Sequence, residues 1–226
     1  RASLPVPESS PRSGRLKRHN GEVTPDDRSN RRPAAPTGRR AELLAAAVDV
    51  VADGGLRGLT HRAVDARAGL PEGTCSAYLR TRSALLVALA DHVGGALEAR
   101  VTALASDLQG AIGDPVAVSA AVTELTLGWI REPALVRAQA ELSLEAARQP
   151  ELMEVFERWR DGLLRTVREL GERSGRPQPA QEAVVLVAAI EGFLVTAVRL
   201  PEEHREGFLR GAIPVLVHAM RGPESM

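Results

Sequence analysis

Apolar positions in this chain recur at intervals of three and four, and over no useful length at intervals of two. The first spacing lines one face of an α-helix, whereas the second marks a half-buried strand. The pattern therefore predicts an all-α protein. Residues 1–38 are the exception. They are rich in Pro, Ser, Arg and Asn and nearly without large apolar side chains. Such a stretch cannot bury enough surface to offset its ordering entropy and is expected to be a disordered tail.

Helices are expected from Arg39 onward. Leu44, Ala47, Val48 and Val51 share a face that Gly54-Gly55 brings to an end. Thr60 is a suitable cap for a second helix over about 61–68, which Gly69 breaks. Pro71 then opens a third helix to about Leu79, because a first helical position tolerates proline. Thr81 caps a fourth that runs to about Ser106. Asp114-Pro115, Glu132-Pro133 and Gln149-Pro150 are three further starts. The last of these leads a stripe of Leu152, Val155, Phe156, Trp159, Leu163, Val167 and Leu170. Residues 180–199 are almost wholly apolar, and Pro201 separates them from a final helix over about 202–220. No internal repeat is present.

The segment 59–86, LTHRAVDARAGLPEGTCSAYLRTRSALL, carries the functional signal. Two short helices joined at a glycine form a helix-turn-helix, whose second helix enters the major groove of DNA. Val64 and Ala68 face inward from the first helix, and Leu70, Cys75 and Leu79 from the second. Leu44, Val48 and Val51 close this core. That leaves Glu72, Gly73, Thr74, Ser76, Ala77 and Tyr78 facing outward. Gly73, Ser76 and Ala77 are small enough for close approach to base pairs. Thr74, Ser76 and Tyr78 offer hydroxyls to phosphates or base edges. Arg80 and Arg82 follow directly, and Arg39 and Arg40 open the domain, all four placed to hold phosphates. Thr60, His61, Arg62 and Pro71 stand at helix starts, where backbone N–H groups add to the phosphate grip, and complete the candidate DNA-contacting set.

This block resembles the N-terminal domain of the TetR family of transcriptional regulators. The matching residues are Thr60, Val64, Ala68, Gly69, Gly73, Thr74, Tyr78, Leu79, Thr81, Arg82 and Leu85. The resemblance is strong over about 48 residues. In the C-terminal part it rests on helical layout and on Glu191-Gly192, which resembles the family's dimerisation helices. Ser76 stands where the family has Tyr, Leu79 where it has Phe, and Arg82 where it has Lys. Asp65 occupies a position where Ala is common and packs, which calls for a pairing with Arg62 or another nearby arginine. The resemblance implies a homodimer whose paired recognition helices read a palindromic double-stranded operator. It also implies release by a small hydrophobic effector that enters the C-terminal bundle and shifts the fourth helix.

Charge and composition adjust this picture. The formal net charge is zero, yet residues 1–40 hold ten basic residues against four acidic ones, a balance of +6 that leaves −6 on the rest. A basic end on an acidic protein suits a polyanion partner. Cys75 is the only cysteine, so an intrachain disulfide and a cysteine metal cluster are excluded, and a reducing cytoplasm fits. Cys75 reads as a small core residue. His92, His204 and His218 lack metal-ligand spacing, and no phosphate loop, paired carboxylates or Ser-His-acid set stands out, so neither catalysis nor a cofactor is expected. No apolar run is expected to reach membrane-crossing length.

The chain thus divides into a tail at 1–38, a three-helix helix-turn-helix domain at 39–85, and a bundle at 86–226 for ligand binding and dimerisation. Aromatics are only 3% of residues, so Trp129, Phe156, Trp159 and Phe193 are candidate walls of an effector cavity, although core packing accounts for each of them as well. Gln139, Glu141 and Glu145 are the polar candidates on a partly apolar helix. Residues Ala183–Leu200 are too apolar for a helix with a wet face and can pair with a second copy, joined by Phe208, Ala212, Val215 and Leu216; the alternative is complete burial within one subunit. The alternative reading is a helical module that binds a ligand or protein without DNA.

Overall fold

Helices begin where the sequence supplies a cap or a proline. The computed structural model describes residues 36–108, 114–173 and 180–220. Among these described residues there are nine helices and no strand: α1 (Pro36–Gly58), α2 (His61–Ala68), α3 (Thr74–Tyr78), α4 (Arg82–Asp107), α5 (Pro115–Arg131), α6 (Pro133–Ala146), α7 (Pro150–Arg173), α8 (Ala180–Arg199) and α9 (Glu202–Ala219). The tail assigned to 1–38 lies outside the described residues up to position 35, and 36–38 already belong to α1.

The caps act locally. Thr60 Oγ1 accepts the Ala63 N–H at 3.1 Å, Thr81 Oγ1 the Ala84 N–H at 3.0 Å, and Asp114 the Val116 N–H at 2.9 Å. Each satisfies a donor that the first turn leaves without a partner, and such a cap contributes about 1 kcal/mol. Pro115 and Pro133 stand at helix starts, as expected.

Two helices depart from the expected bounds. Gly55 interrupts α1 at φ 64°, but the chain makes one further turn to Gly58. The third helix begins at Thr74 rather than Pro71. Residues 71–73 form a turn in which the Thr74 N–H and hydroxyl both donate to the Pro71 carbonyl, at 3.2 and 2.6 Å. Gly73 then takes φ 95°, a conformation that residues with a side chain rarely adopt.

The core is continuous through the fold. Leu43, Leu44, Ala47, Val48 and Val51 of α1 are buried together with Val64, Cys75, Leu79, Leu85, Leu86 and Leu89. Helix α4 runs unbroken past the boundary drawn at 85/86 and lies along α7. The two helices approach closely through a pair of glycines. A Cβ at Gly94 would stand 3.0 Å from the indole of Trp159, and one at Gly162 would meet the carboxylate of Glu98. Helix α1 packs on α6, α5 on α9, and α8 on α9.

Helix α8 corrects one expectation. It is 20 residues long with a mean hydropathy of 1.8 over its most apolar stretch, so length and composition alone would let it cross a membrane. Within the fold it packs on α5, α6, α7 and α9 and buries Ala183, Val187, Leu194 and Ala197. Its other side is open, with Val185 47% exposed and Val215 of neighbouring α9 69% exposed. It is therefore not buried all round.

The two glycines predict opposite outcomes. Gly94→Val drives a branched side chain into an indole ring and should lower stability by about 1–3 kcal/mol. Gly162→Ala asks only the end of a flexible glutamate to move and gains helix propensity of up to about 1 kcal/mol, so stability should hold or rise. Urea titration of both variants checks this; equal losses would show that the α4–α7 spacing does not depend on Gly94.

Candidate functional sites

The recognition segment is built outward from its buried side. Cys75 and Leu79 of the α3 region are buried, and Thr74 and Ser76 are half-buried. Glu72, Gly73, Ala77, Tyr78 and Arg80 are exposed, Tyr78 at 41%. The hydroxyl of Ser76 donates to the Gly73 carbonyl at 2.9 Å, as that of Thr74 does to Pro71, so both hydroxyls have local partners while their lone pairs remain available to a donor. The turn before α3 is fixed by Gly69 at φ 65° and by the Leu70 N–H donating to the Asp65 carbonyl at 2.9 Å.

Among the described residues, Asp65 does not pair with an arginine. It is 2% exposed, and its carboxylate accepts the Gly73 N–H at 2.8 Å and the Cys75 N–H at 2.7 Å. A buried carboxylate is tolerable when its lone pairs meet fixed donors, and bonds of this charged kind contribute about 1.5–3 kcal/mol each. Arg62 instead lies 3.9 Å from Glu72, both highly exposed. The sequence signal for the Asp65 bonds is an acid at a position that packs and a glycine eight residues later, which offers a backbone N–H in place of a second charge.

Two residues assigned to phosphates have protein partners. The Arg82 guanidinium donates to the Leu56 carbonyl at 2.6 Å and also to the Leu59 carbonyl. It joins the start of α4 to the end of α1 and is not a free phosphate ligand. The His61 ring donates through Nε2 to the Leu79 carbonyl. Of the others, Arg39 pairs with Glu42 at 2.7 Å. Arg40 is exposed, and its charge, together with burial as the larger cause, pushes His92 below its ordinary value. Arg80 has no ion pair among the described residues. Arg67, not among the candidates, pairs with Asp53 and Asp49 across α1 and α2.

The candidate effector residues do not form one group. Phe156 meets Trp159 edge-on, with ring centres 6.2 Å apart, against α4. Phe193 meets Phe208 of α9 in the same way at 6.0 Å. Trp129 is buried in α5, and the indole N–H groups of Trp129 and Trp159 are both buried without a hydrogen-bond partner among the described residues. Gln139 is half-buried. Glu141 and Glu145 are corrected. Glu141 is exposed, accepts the Leu56 N–H at 3.4 Å and lies against Gly55. Glu145 accepts from Gln149 at 2.5 Å and from Arg148 at 3.2 Å, at the end of α6. An open groove of about 600 Å³ lies between α5 and α9, lined by Val116, Ser119, Ala120, Thr123, Pro214 and Val217 among others. None of the candidate effector residues lines it. Its sequence trace is faint: Ser119 and Thr123 four apart on α5, and a proline inside α9.

No three His, Cys, Asp or Glu side chains converge as a metal site among the described residues. Burial pushes the Cys75 thiol up to about 11, and the charge of Asp65 adds to the shift.

Two short helices joined through a left-handed glycine, with small and hydroxyl-bearing residues outward, define a helix-turn-helix head on a helical bundle. Residues 113–220 match the family model described as "Tetracyclin repressor-like, C-terminal domain". A solved TetR-family member from Streptomyces coelicolor A3 is 30% identical, covering 76% of this chain and 95% of that one, with a TM-score of 0.55. The multidrug binding protein EbrR, solved with ethidium, is 26% identical over 80% of this chain and 99% of that one, with a TM-score of 0.57. A transcriptional regulator from Rhodococcus sp. Rha1 shares the fold with a TM-score of 0.69 at 21% identity, covering 80% and 95%. No curated protein matches the sequence. The chain belongs to the TetR family of transcriptional regulators, whose members are DNA-binding and generally not enzymes.

Two measurements follow from this geometry. Arg82→Ala should lower the melting temperature by about 2–4 °C, the shift expected for the loss of about 1 kcal/mol in a chain of this length. It should leave the salt dependence of DNA binding unchanged; a slope reduced by about one charge would return Arg82 to the phosphates. For Cys75, the folded chain holds a proton between pH 9 and about 11 that the unfolded chain releases. Stability contributed by the thiol is therefore fully present below pH 9 and falls as pH rises through that window. Melting curves of the unaltered chain and Cys75→Ala, compared from pH 8 to 11, should converge; parallel curves would show an ordinary thiol.

Proposed function

We propose that this chain is a repressor that binds a palindromic operator as a homodimer and is released by a small hydrophobic effector. The observation that carries the DNA half is the outward face of α3. Gly73, Ala77 and Tyr78 are exposed while Cys75 and Leu79 hold the opposite side in the core. Thr74, Ser76, Glu72 and Pro71 are neighbours of that face in the chain, and Thr60, Arg62, Arg39, Arg40 and Arg80 are the proposed phosphate contacts. Two such heads read successive major grooves about 34–36 Å apart. The protein acts in the cytoplasm, where its operator is, without a membrane and without a catalytic step.

Dimerisation is supported by the open side of α8 and α9. Val185 and Val215 are exposed apolar residues on adjacent helices, and covering them with a second copy would build a four-helix core. Effector binding is supported by the two orphan indole N–H groups. A buried donor left unpaired costs about 1–3 kcal/mol, so a ligand that brings an acceptor to Trp129 or Trp159 is favoured by that amount. Phe156 adds an aromatic edge. EbrR, similar over nearly its whole length, was solved with ethidium and with proflavin, both planar aromatic cations, which supports planar aromatic effectors for this chain too.

Selection of duplexes from a random pool should return an inverted repeat, and sedimentation should give a dimer at micromolar concentration. Ethidium or proflavin, added to the protein without DNA, should quench the tryptophans, as expected of an effector that prefers one state of the bundle. Recovery of no palindrome would refute the repressor, a monomer would refute the α8–α9 interface, and undisturbed tryptophans would refute the effector class.

A further inference from the structure

We propose that His61 and Asp65 act together as positioning residues that set the orientation of the recognition helix, and so govern operator specificity more than overall affinity for DNA. The inference rests on the DNA-binding reading above and adds the device that aims the helix.

Helix α3 has five residues, too few to hold helical geometry unaided. Of the segment it heads, only Cys75 and Leu79 are buried, and two apolar anchors leave it free to roll about the line between them. The polar contacts remove that freedom. His61 and Asp65 are four residues apart in α2 and so share one of its faces. At one end of α3, the Asp65 carboxylate accepts the N–H groups of Gly73 and Cys75. At the other, the His61 ring donates to the carbonyl of Leu79. An acceptor meets the helix start and a donor its end, the polarity that the peptide dipoles favour. The left-handed Gly73 is fixed by the same carboxylate. Both ends of α3 are thereby tied to one helix, and the direction of Ser76, Ala77 and Tyr78 follows from the tie.

Phosphate contacts ignore sequence, whereas base-edge contacts need correct placement. Loosening α3 should therefore remove discrimination and leave the charge-driven part intact. With duplexes selected by the unaltered chain, and scrambled versions of them, Asp65→Ala should cut the ratio of selected to scrambled affinity at least tenfold. Scrambled-DNA affinity should stay within twofold. His61→Ala should lower the ratio, and His61→Gln, which keeps a donor, should restore most of it. In the DNA-free protein, the amide proton resonances of Gly73 and Cys75 should move upfield in Asp65→Ala, while those of α8 and α9 stay. If that variant does not fold, Asp65→Asn, which keeps one acceptor oxygen, should lose discrimination in part and shift at least one of the two amides.

An unchanged ratio in a folded Asp65 variant, or unmoved Gly73 and Cys75 amides, overturns the proposal. If the unaltered chain prefers no duplex, the DNA-binding reading fails instead. The amide shifts then judge the tie alone: moved resonances uphold it and unmoved ones refute it.

Discussion

Helix α4 lends its first turns to the recognition head and its later turns to the bundle, and the arrangement of the other helices depends on its serving both. Near its start, Leu85, Leu86 and Leu89 are buried in the core shared with α1, and Arg82 reaches back to the carbonyls of Leu56 at the end of α1 and Leu59 just beyond it. A few turns on, Gly94 admits the ring of Trp159, and Glu98 lies over Gly162. Ser83 donates to Glu151 at the start of α7, so α4 and α7 are tied at the end nearest the head as well as along their length. These constraints differ in kind. Hydrogen bonds to carbonyls fix direction, while a ring seated on a glycine fixes distance. Together they leave α4 little room to move without carrying α1 or α7 with it.

The rest of the head follows from that helix and from polar groups spent within the protein. A five-residue recognition helix offers little apolar surface, so side-chain bonds to backbone take over the work that burial does elsewhere. Arg82, His61 and Asp65 all serve this end. The surface ion pairs contribute far less. Arg131, Glu206, Arg210 and Glu124 form a chain across α5 and α9, but these groups are exposed and screened by solvent. The apolar contacts beneath them hold those two helices together.

Much of the architecture was legible in the sequence because its signals are local. Thr60, Thr81 and Asp114 cap helices within three residues of themselves, and apolar spacing reports a helical face without reference to any other element. The failures involve partners distant in the chain. Pro71 looked like a helix start because its local preference suits one, yet the true start is set by a carboxylate that reaches Gly73 and Cys75 from another helix. Arg82 and His61 look like DNA ligands in a basic, surface-forming segment. Their partners are carbonyls, which every residue carries and no sequence advertises. Glu141 was placed on a pocket-facing helix, but periodicity does not say that the other side of α6 meets the end of α1. The exposed side of α3 was legible, because exposure there is the complement of a core pattern that can be counted.

Helix α8 shows where composition stops being informative. A largely apolar helix of twenty residues satisfies a lipid bilayer and a protein interface equally well, since both reward removal of apolar surface from water. What separates them is the rest of the helix's surroundings. Glu191 sits in α8 within 3.8 Å of Arg160 of α7, and burial pushes that carboxyl above its ordinary range while the arginine draws it back. One side of α8 is thus packed and paired inside the fold. Val185 of α8 and Val215 of α9 are both exposed, so apolar surface is left open on each of these packed helices. Lipid would have to surround a helix that four others already contact, whereas a second copy need cover only what those four leave open. The physical argument for a second copy therefore lies in the apolar side chains that the fold leaves exposed on α8 and α9.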